Sequence, residues 1–186
     1  MRDKRIVGSQ VLHLVSMAVL LFCFWLLLSG TLQMKFLIYG ILTAIVAAWV
    51  TYPLLLVPNA DGSRLYFVFG VNPVKLIWYF LWLLWQLILA NMDVIKSTVR
   101  PEIRINPRVV RFRFRADNPM AAVALANSIT LTPGTVTMNV EENGLFEVHA
   151  LTDGAAEGVM DGAGMPKQAA WLFGVPYEFE LLEEAD

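Results

Sequence analysis

Ala126-Asn127-Ser128-Ile129-Thr130-Leu131-Thr132-Pro133-Gly134-Thr135 is a polar, turn-centred stretch downstream of long apolar runs. Within it, Thr132-Pro133-Gly134-Thr135 specifies a type II turn, because proline sets φ at the first central position and glycine accepts the positive φ needed at the second. Upstream, Asp117-Asn118-Pro119 supplies a cap residue and a first-turn proline ahead of the helix-favouring Met120 to Asn127. Downstream, Val136, Met138 and Val140 alternate with polar residues, Asn143-Gly144 offers a turn, and Leu145, Glu147 and His149 alternate with Phe146, Val148 and Ala150. That pattern is a β-hairpin. The quoted stretch therefore reads as the corner that joins a helix to a hairpin.

Working outward, Val110, Phe112 and Phe114 alternate with Arg111, Arg113 and Arg115, the signature of a half-buried strand. Pro101 and Pro107 precede it and mark a boundary, since each biases its predecessor away from helix. After the hairpin, Asp153 to Gly164 is rich in glycine and alanine, Pro166 to Phe173 reads as a short helix, and Tyr177 to Leu182 as a last strand. A β-α-β-β-α order results, which predicts a small α+β domain over residues 101–186.

The first half of the chain follows different rules. With 57% hydrophobic and 16% charged residues overall, the composition excludes an ordinary soluble domain. From Gln10 to Pro58 the only ionisable side chains are His13, Cys23, Lys35 and two tyrosines. Apolar runs at about 11–28 and about 36–57 each approach the ~20 residues a helix needs to cross a bilayer, and the short Ser29 to Lys35 connector makes them a hairpin. A cleaved signal peptide is disfavoured, because no convincing small-residue cleavage site follows Leu28 and a second span arrives at once. A third hydrophobic helix is expected over about 74–96, with Trp78, Trp82 and Trp85 at helical spacing on one face. Residues 1–100 thus form a membrane region and the protein is a multi-pass membrane protein.

Basic residues set the orientation. Arg2, Lys4 and Arg5 precede the first span, only Lys35 lies between the first two, and Lys96, Arg100, Arg104 and Arg108 follow the third helix. Both flanks read as cytoplasmic, which requires an even number of crossings. The Trp-faced helix then lies along the cytoplasmic surface, the alternative being a third crossing with one terminus misplaced. Whether lipid or a partner would cover its apolar stripe stays open.

Absences narrow the chemistry. Intramembrane charges are costly and retained for function, yet His13 is the one titratable group in the two spans that could serve a proton path. Cys23 is single, so no disulfide framework exists within one copy. The Thr-Pro-Gly-Thr turn has one glycine, no lysine and precedes a strand, unlike a phosphate-binding loop. Ser128, His149 and Asp153 lack the Gly-x-Ser-x-Gly elbow of a nucleophile, and the scattered histidines and cysteine give no metal set. Neither an enzyme nor a cofactor or metal is expected. The basic row Arg104, Arg108, Arg111, Arg113 and Arg115 suits either anionic lipid headgroups or a solvated strand face. Nucleic acid is disfavoured because Glu178, Glu180, Glu183, Glu184 and Asp186 close the chain.

Together with Val148-His149-Ala150-Leu151, the opening stretch resembles the E subunit of the multisubunit Mrp-type (Mnh, Pha) cation/proton antiporters. The resemblance covers roughly Phe22 to Leu151, and the matching family residues are Ala126, Asn127, Ile129, Thr130, Thr132, Pro133, Gly134 and His149. Met1 to Gln10 and Thr152 to Asp186 extend beyond it. It implies an accessory subunit in a bacterial inner membrane, with a cytoplasmic C-terminal domain, in a complex exchanging Na+ or K+ for H+. Larger subunits would carry the ion path, and the matching residues would serve a corner at a subunit contact. The alternatives are a free-standing membrane-anchored domain that binds a ligand or lipid, and an accessory subunit of a related redox-linked complex.

Overall fold

The computed structural model describes residues 5–99 and 105–182, without the side chains at 93 and 96–98. Two compact units form, Met1–Gly70 and Val71–Asp186. Three helical stretches, Gln10–Ser29, Met34–Leu55 and Pro73–Met92, are long and apolar enough to cross a membrane.

In the first unit, Arg5–Ile6 (β1) leads into Gln10–Ser29 (α1), whose cap Ser9 accepts from the Leu12 amide at 3.5 Å and whose end is Gly30 in the left-handed region. Helix α2 follows at Met34–Thr51. Trp25 Nε1 donates to the Phe36 carbonyl at 3.2 Å, while Thr51 at the other end of α2 reaches Met17. The two helices therefore run antiparallel. Gly40, Ala44 and Ala48 recur every fourth residue on the buried side of α2, and the Trp25 indole lies over Gly40. Small side chains at that spacing let two backbones approach closely.

The second helix is shorter than the apolar run implied. It gives way to a 3-10 turn at Tyr52–Leu55, with Pro53 in the first turn, then to strands Leu56–Pro58 (β2) and Arg64–Phe67 (β3). Hydrophobicity continues through Val57, but the backbone no longer follows a helix. β3 is central, antiparallel to β2 and parallel to β1. The polar N-terminus thus contributes a strand as well as charge.

In the second unit, Pro73–Val99 (α3) precedes the α+β domain. The sequence-based division near residue 100 separates apolar from polar chain, whereas packing groups α3 with the domain that follows it. Arg108–Ala116 (β4), Thr135–Val140 (β5), Leu145–Ala150 (β6) and Tyr177–Leu181 (β7) form an antiparallel sheet in the order β5-β6-β4-β7. Pro119–Leu131 (α4), Asp153–Met160 (α5) and Met165–Phe173 (α6) cover one face.

The order is accordingly β-α-β-β-α-α-β, one helix and one firm strand beyond the β-α-β-β-α core expected. The added helix α5 arises in the glycine-rich segment. Glycine disfavours helix by about 1 kcal/mol relative to alanine, but Thr152 caps the Ala155 amide at 3.2 Å and Ala156 and Val159 are buried. Tertiary burial outweighs local propensity.

Alternation in β4 places Val110, Phe112 and Phe114 inward, where they are fully buried with Phe146 and Val148. Phe112 stacks on Phe146 at 4.9 Å and Phe114 meets it edge-on at 6.2 Å. The hairpin turn is closed by Gly144, whose amide donates to the Glu141 carbonyl at 2.9 Å and whose φ is 86°. A Cβ there would press on the Phe114 carbonyl, so both conformation and space call for glycine.

Candidate functional site at the α3, α4 and α5 corner

Helix α4 begins as the sequence implies, with Asn118 Oδ1 accepting from the Met120 amide at 3.0 Å and Pro119 in the first turn. It extends beyond Asn127 to Leu131, so the first part of the quoted stretch is helical. Leu125, Ser128 and Ile129 face inward, whereas Asn127 and Thr130 are exposed. Ala126 packs against the core.

The last carbonyls of a helix lack intrahelical partners. Here threonines supply them. Thr132 Oγ1 donates to the Ser128 carbonyl at 2.8 Å, and Thr135 Oγ1 lies 2.6 Å from the Ile129 carbonyl and 3.0 Å from that of Thr132. Thr137 Oγ1 donates to the Ala126 carbonyl at 3.1 Å, and Thr130 Oγ1 accepts from the Thr137 amide at 3.2 Å. The Thr130 hydroxyl thereby satisfies an amide of β5, an edge strand of the sheet.

The turn closes through the Thr135 amide and the Thr132 carbonyl at 3.2 Å, with Gly134 at φ 91°, as a type II turn requires. The Gly134 carbonyl accepts from the Leu151 amide at 2.9 Å, and Thr135 pairs with Ala150. The two segments that carry the family resemblance are thus joined directly. His149, however, lies outside this corner. It pairs with Val136 on one side and Val109 on the other, in alternation with the buried Val148 and Ala150, and so faces the open side of the sheet.

Helix α3 reaches the same corner. Tyr79 is buried, and its hydroxyl lies 2.6 Å from Ser128 Oγ. Lys75 Nζ donates to the Trp171 carbonyl at 3.0 Å and stands 5.2 Å over its ring, while Leu83 packs with Leu172. A cavity of about 310 Å³ opens beside the turn, between Trp82, Gln86 and Ala90 of α3, Pro133, and Ala155 and Gly158 of α5. Trp82 is half-buried here, 5.8 Å from Tyr79, whereas Trp78 and Trp85 are exposed, so the three indoles do not share one environment.

The described arginines of the basic row have partners within the domain. Arg111 pairs with Glu147 and Arg113 with Glu180, each at 2.9 Å and each directly across the sheet. Arg115 Nε donates to the Asn143 carbonyl at 3.2 Å, and Arg108 meets Asp153 at 3.5 Å. Arg104 lies outside the described residues. A lipid headgroup would have to compete with these carboxylates. Glu180, one of the acidic residues that argued against nucleic acid, is a counter-charge to this row.

In the first unit, the His13 ring stacks on Phe67 at 4.6 Å and lies near Tyr52. Among the described residues no group of three or more histidine, cysteine, aspartate or glutamate side chains is placed to hold a metal ion.

Comparison with known proteins fits this geometry. The family model for Na+/H+ ion antiporter subunits, MNHE, matches residues 18–162 and so reaches past Leu151 through α5. The Na(+)/H(+) antiporter subunit E1 of Staphylococcus saprophyticus is 30% identical over 125 residues, which is 67% of this chain and 72% of that protein. Its Staphylococcus aureus counterpart is 29% identical over 120 residues, 64% of this chain and 70% of that one. Among solved structures, a chain of the membrane-bound sulfane sulfur reductase, an archaeal respiratory membrane complex, is 30% identical with a TM-score of 0.63, covering 87% of this chain and 99% of that one. A chain of the Mrp complex from a Dietzia species is 25% identical, covering 55% of this chain and 96% of that one, at a TM-score of 0.36. With the family match spanning most of its length and including the Pro-Gly corner, the chain belongs to the Na+/H+ ion antiporter subunit family.

Proposed function

We propose that the chain is an accessory and assembly subunit of a multisubunit antiporter that exchanges Na+ or K+ for H+. It stabilises the complex and leaves the ion path to larger subunits. The observation that carries this reading is the α1-α2 hairpin itself. Between Gln10 and Pro58 the sequence has no carboxylate and one lysine, Lys35, which sits in the first turn of α2. A cation or proton path through lipid needs ionisable side chains along its length. His13 is occupied in an aromatic stack on Phe67 at one end of α1. Membership of a subunit family and the names of the relatives support the assembly role.

In this reading the membrane is the bacterial inner membrane and the α+β domain lies on its cytoplasmic side, as the basic residues before α1 and after α3 favour. Ala126, Asn127, Ile129, Thr130, Thr132, Pro133 and Gly134 build the corner, and the open face bearing His149 contacts another subunit.

Deletion of the gene, followed by purification of the remaining subunits and measurement of cation/proton exchange in vesicles, tests the role. A fragmented or poorly active complex is expected, restored by the wild-type chain and by a His13→Ala variant. An intact and fully active exchanger without the chain would overturn the assembly role, and failure of His13→Ala alone would return the hairpin to the ion path.

A second reading places the chain in a redox-linked membrane complex, in the same accessory capacity. The likeness to a chain of an archaeal respiratory complex over 99% of that chain favours it. The partners that co-purify with the full chain separate the two: redox subunits bearing metal clusters support the second reading, and multi-span antiporter subunits alone support the first.

A further inference from the structure

The exposed side of α3 is a feature that the corner does not use. Ile77, Leu84, Ile88 and Ile95 are all exposed. At 100° per residue they fall within about 40° of one another, half a turn from the buried Tyr79. Trp78 and Trp85 border that line on one side, about 80–100° round the helix, and are also exposed. The charged Lys75 at the start of the helix is turned away, held on Trp171.

The opposite side of α3 is held against the α+β domain along its length. Contacts run from Lys75 on Trp171, through Tyr79 on Ser128 and Leu83 beside Leu172, to Ala90 and Val94 beside the Pro133-Gly134 turn. Lys75 to Val94 is about 28 Å of helix, close to the ~30 Å hydrocarbon thickness of a bilayer. A crossing α3 would therefore carry the attached domain, with its arginine-glutamate face, into hydrocarbon. Length and composition permit a span; the attached domain does not.

We propose that α3 lies flat in the membrane interface and seats the α+β domain on the lipid surface, with the Ile77-Leu84-Ile88-Ile95 line turned into the acyl chains. Three observations choose lipid as the occupant. The four side chains of the line are hydrocarbon, and the exposed Asn91 beside them turns its amide back onto the Leu87 carbonyl at 2.8 Å. The border opposite Asn91 is formed by the indoles of Trp78 and Trp85, which favour the headgroup level, where the ring is apolar and the N–H is wet. The helix follows β3, a strand of the unit that contains the transmembrane hairpin, after the five residues 68–72, a linker whose contour is at most about 20 Å. The inference is independent of the ion exchanged and of which complex holds the chain.

Site-directed spin labelling tests it. In a Cys23→Ala background, single cysteines at Ile77, Leu84, Ile88 and Ile95 of the full chain would carry a nitroxide. The chain, with its co-purifying subunits, would be placed in phosphatidylethanolamine–phosphatidylglycerol vesicles, and collisions with oxygen and with a water-soluble nickel chelate compared. Positions where the label alters the circular dichroism are replaced by the neighbouring Leu81 or Met92. The expected result is one common depth for all labels, about 5–10 Å below the headgroup boundary. A depth that changes progressively by about 27 Å from Ile77 to Ile95 means a crossing helix and overturns the proposal. Labels shielded from both reagents mean a protein partner, and labels open to nickel mean water; either result also overturns it.

Discussion

Tyr79 Oη and Ser128 Oγ lie 2.6 Å apart in a buried contact between α3 and α4. Ser128 also donates its one proton to the Ala124 carbonyl at 2.8 Å, so the tyrosine must be the donor to the serine. This bond fastens an apolar helix of membrane length to the helix that carries the family stretch. Its direction makes the two partners unequal.

Ser128→Ala should therefore cost more than Tyr79→Phe. The first change leaves a buried tyrosine hydroxyl without its acceptor, a loss of about 1–3 kcal/mol. The second leaves Ser128 bonded to Ala124 and should cost about 0.5–1.5 kcal/mol. Denaturant or thermal unfolding of the full chain in mild detergent measures both, and a reversed order would refute the assigned direction.

Gly134→Ala should destabilise the corner by about 1–3 kcal/mol, because alanine would be held at positive φ. Steric room is not the cause: a Cβ there would meet Ala155 at 3.5 Å and Val94 at 3.9 Å, ordinary contact distances. Pro133→Ala, which only frees φ in the unfolded chain, should cost about 0.4–1 kcal/mol. Comparing the two melting temperatures checks that the conformation at Gly134, and not the turn sequence in general, is decisive.

Thr135→Val keeps shape but removes the proton shared between the Ile129 and Thr132 carbonyls, at 2.6 Å and 3.0 Å. Thr135 is buried, so water cannot replace it freely. A loss of about 1–3 kcal/mol is expected, with faster amide exchange in the last turn of α4. Protection in β4 should change little, which hydrogen exchange would read directly.

Arg113→Glu should weaken the domain only slightly, by about 0.2–1 kcal/mol, since its partner Glu180 is 62% exposed and screened. The reciprocal Arg113→Glu with Glu180→Arg should recover most of the loss at low salt, and the difference should shrink as ionic strength rises. Unfolding curves at two salt concentrations provide the test. Vesicle binding measured on the same variants would show whether the arginine row also meets lipid.

Much of the domain was legible because its cues are local. Alternation in β4 placed Val110, Phe112 and Phe114 in the core before any contact was known, and Asn118-Pro119 announced the start of α4. The Thr-Pro-Gly-Thr turn likewise follows from φ preferences of two adjacent residues. Local cues failed where burial outvoted them. Asp153 to Gly164 read only as rich in glycine and alanine, yet burial of Ala156 and Val159 makes Asp153–Met160 a helix. In the first unit, Leu56 and Val57 were hydrophobic enough to extend a span, but strand pairing with Phe67 and Tyr66 claimed them instead.

The sequence by itself determined a membrane hairpin poor in charge, an α+β tail and a helix-to-hairpin corner, because hydrophobic periodicity, capping and turn preferences act within a few residues. Tertiary structure decided which of these pieces meet. It joined Gly134 to Leu151 while sending His149 to the open face, since strand alternation parts neighbours that sequence holds together. It paired Arg111 and Arg113 with glutamates brought from β6 and β7. It also bound α3 to the domain through Tyr79 and Lys75, partners 49 and 96 positions away along the chain, a separation at which no local pattern carries information.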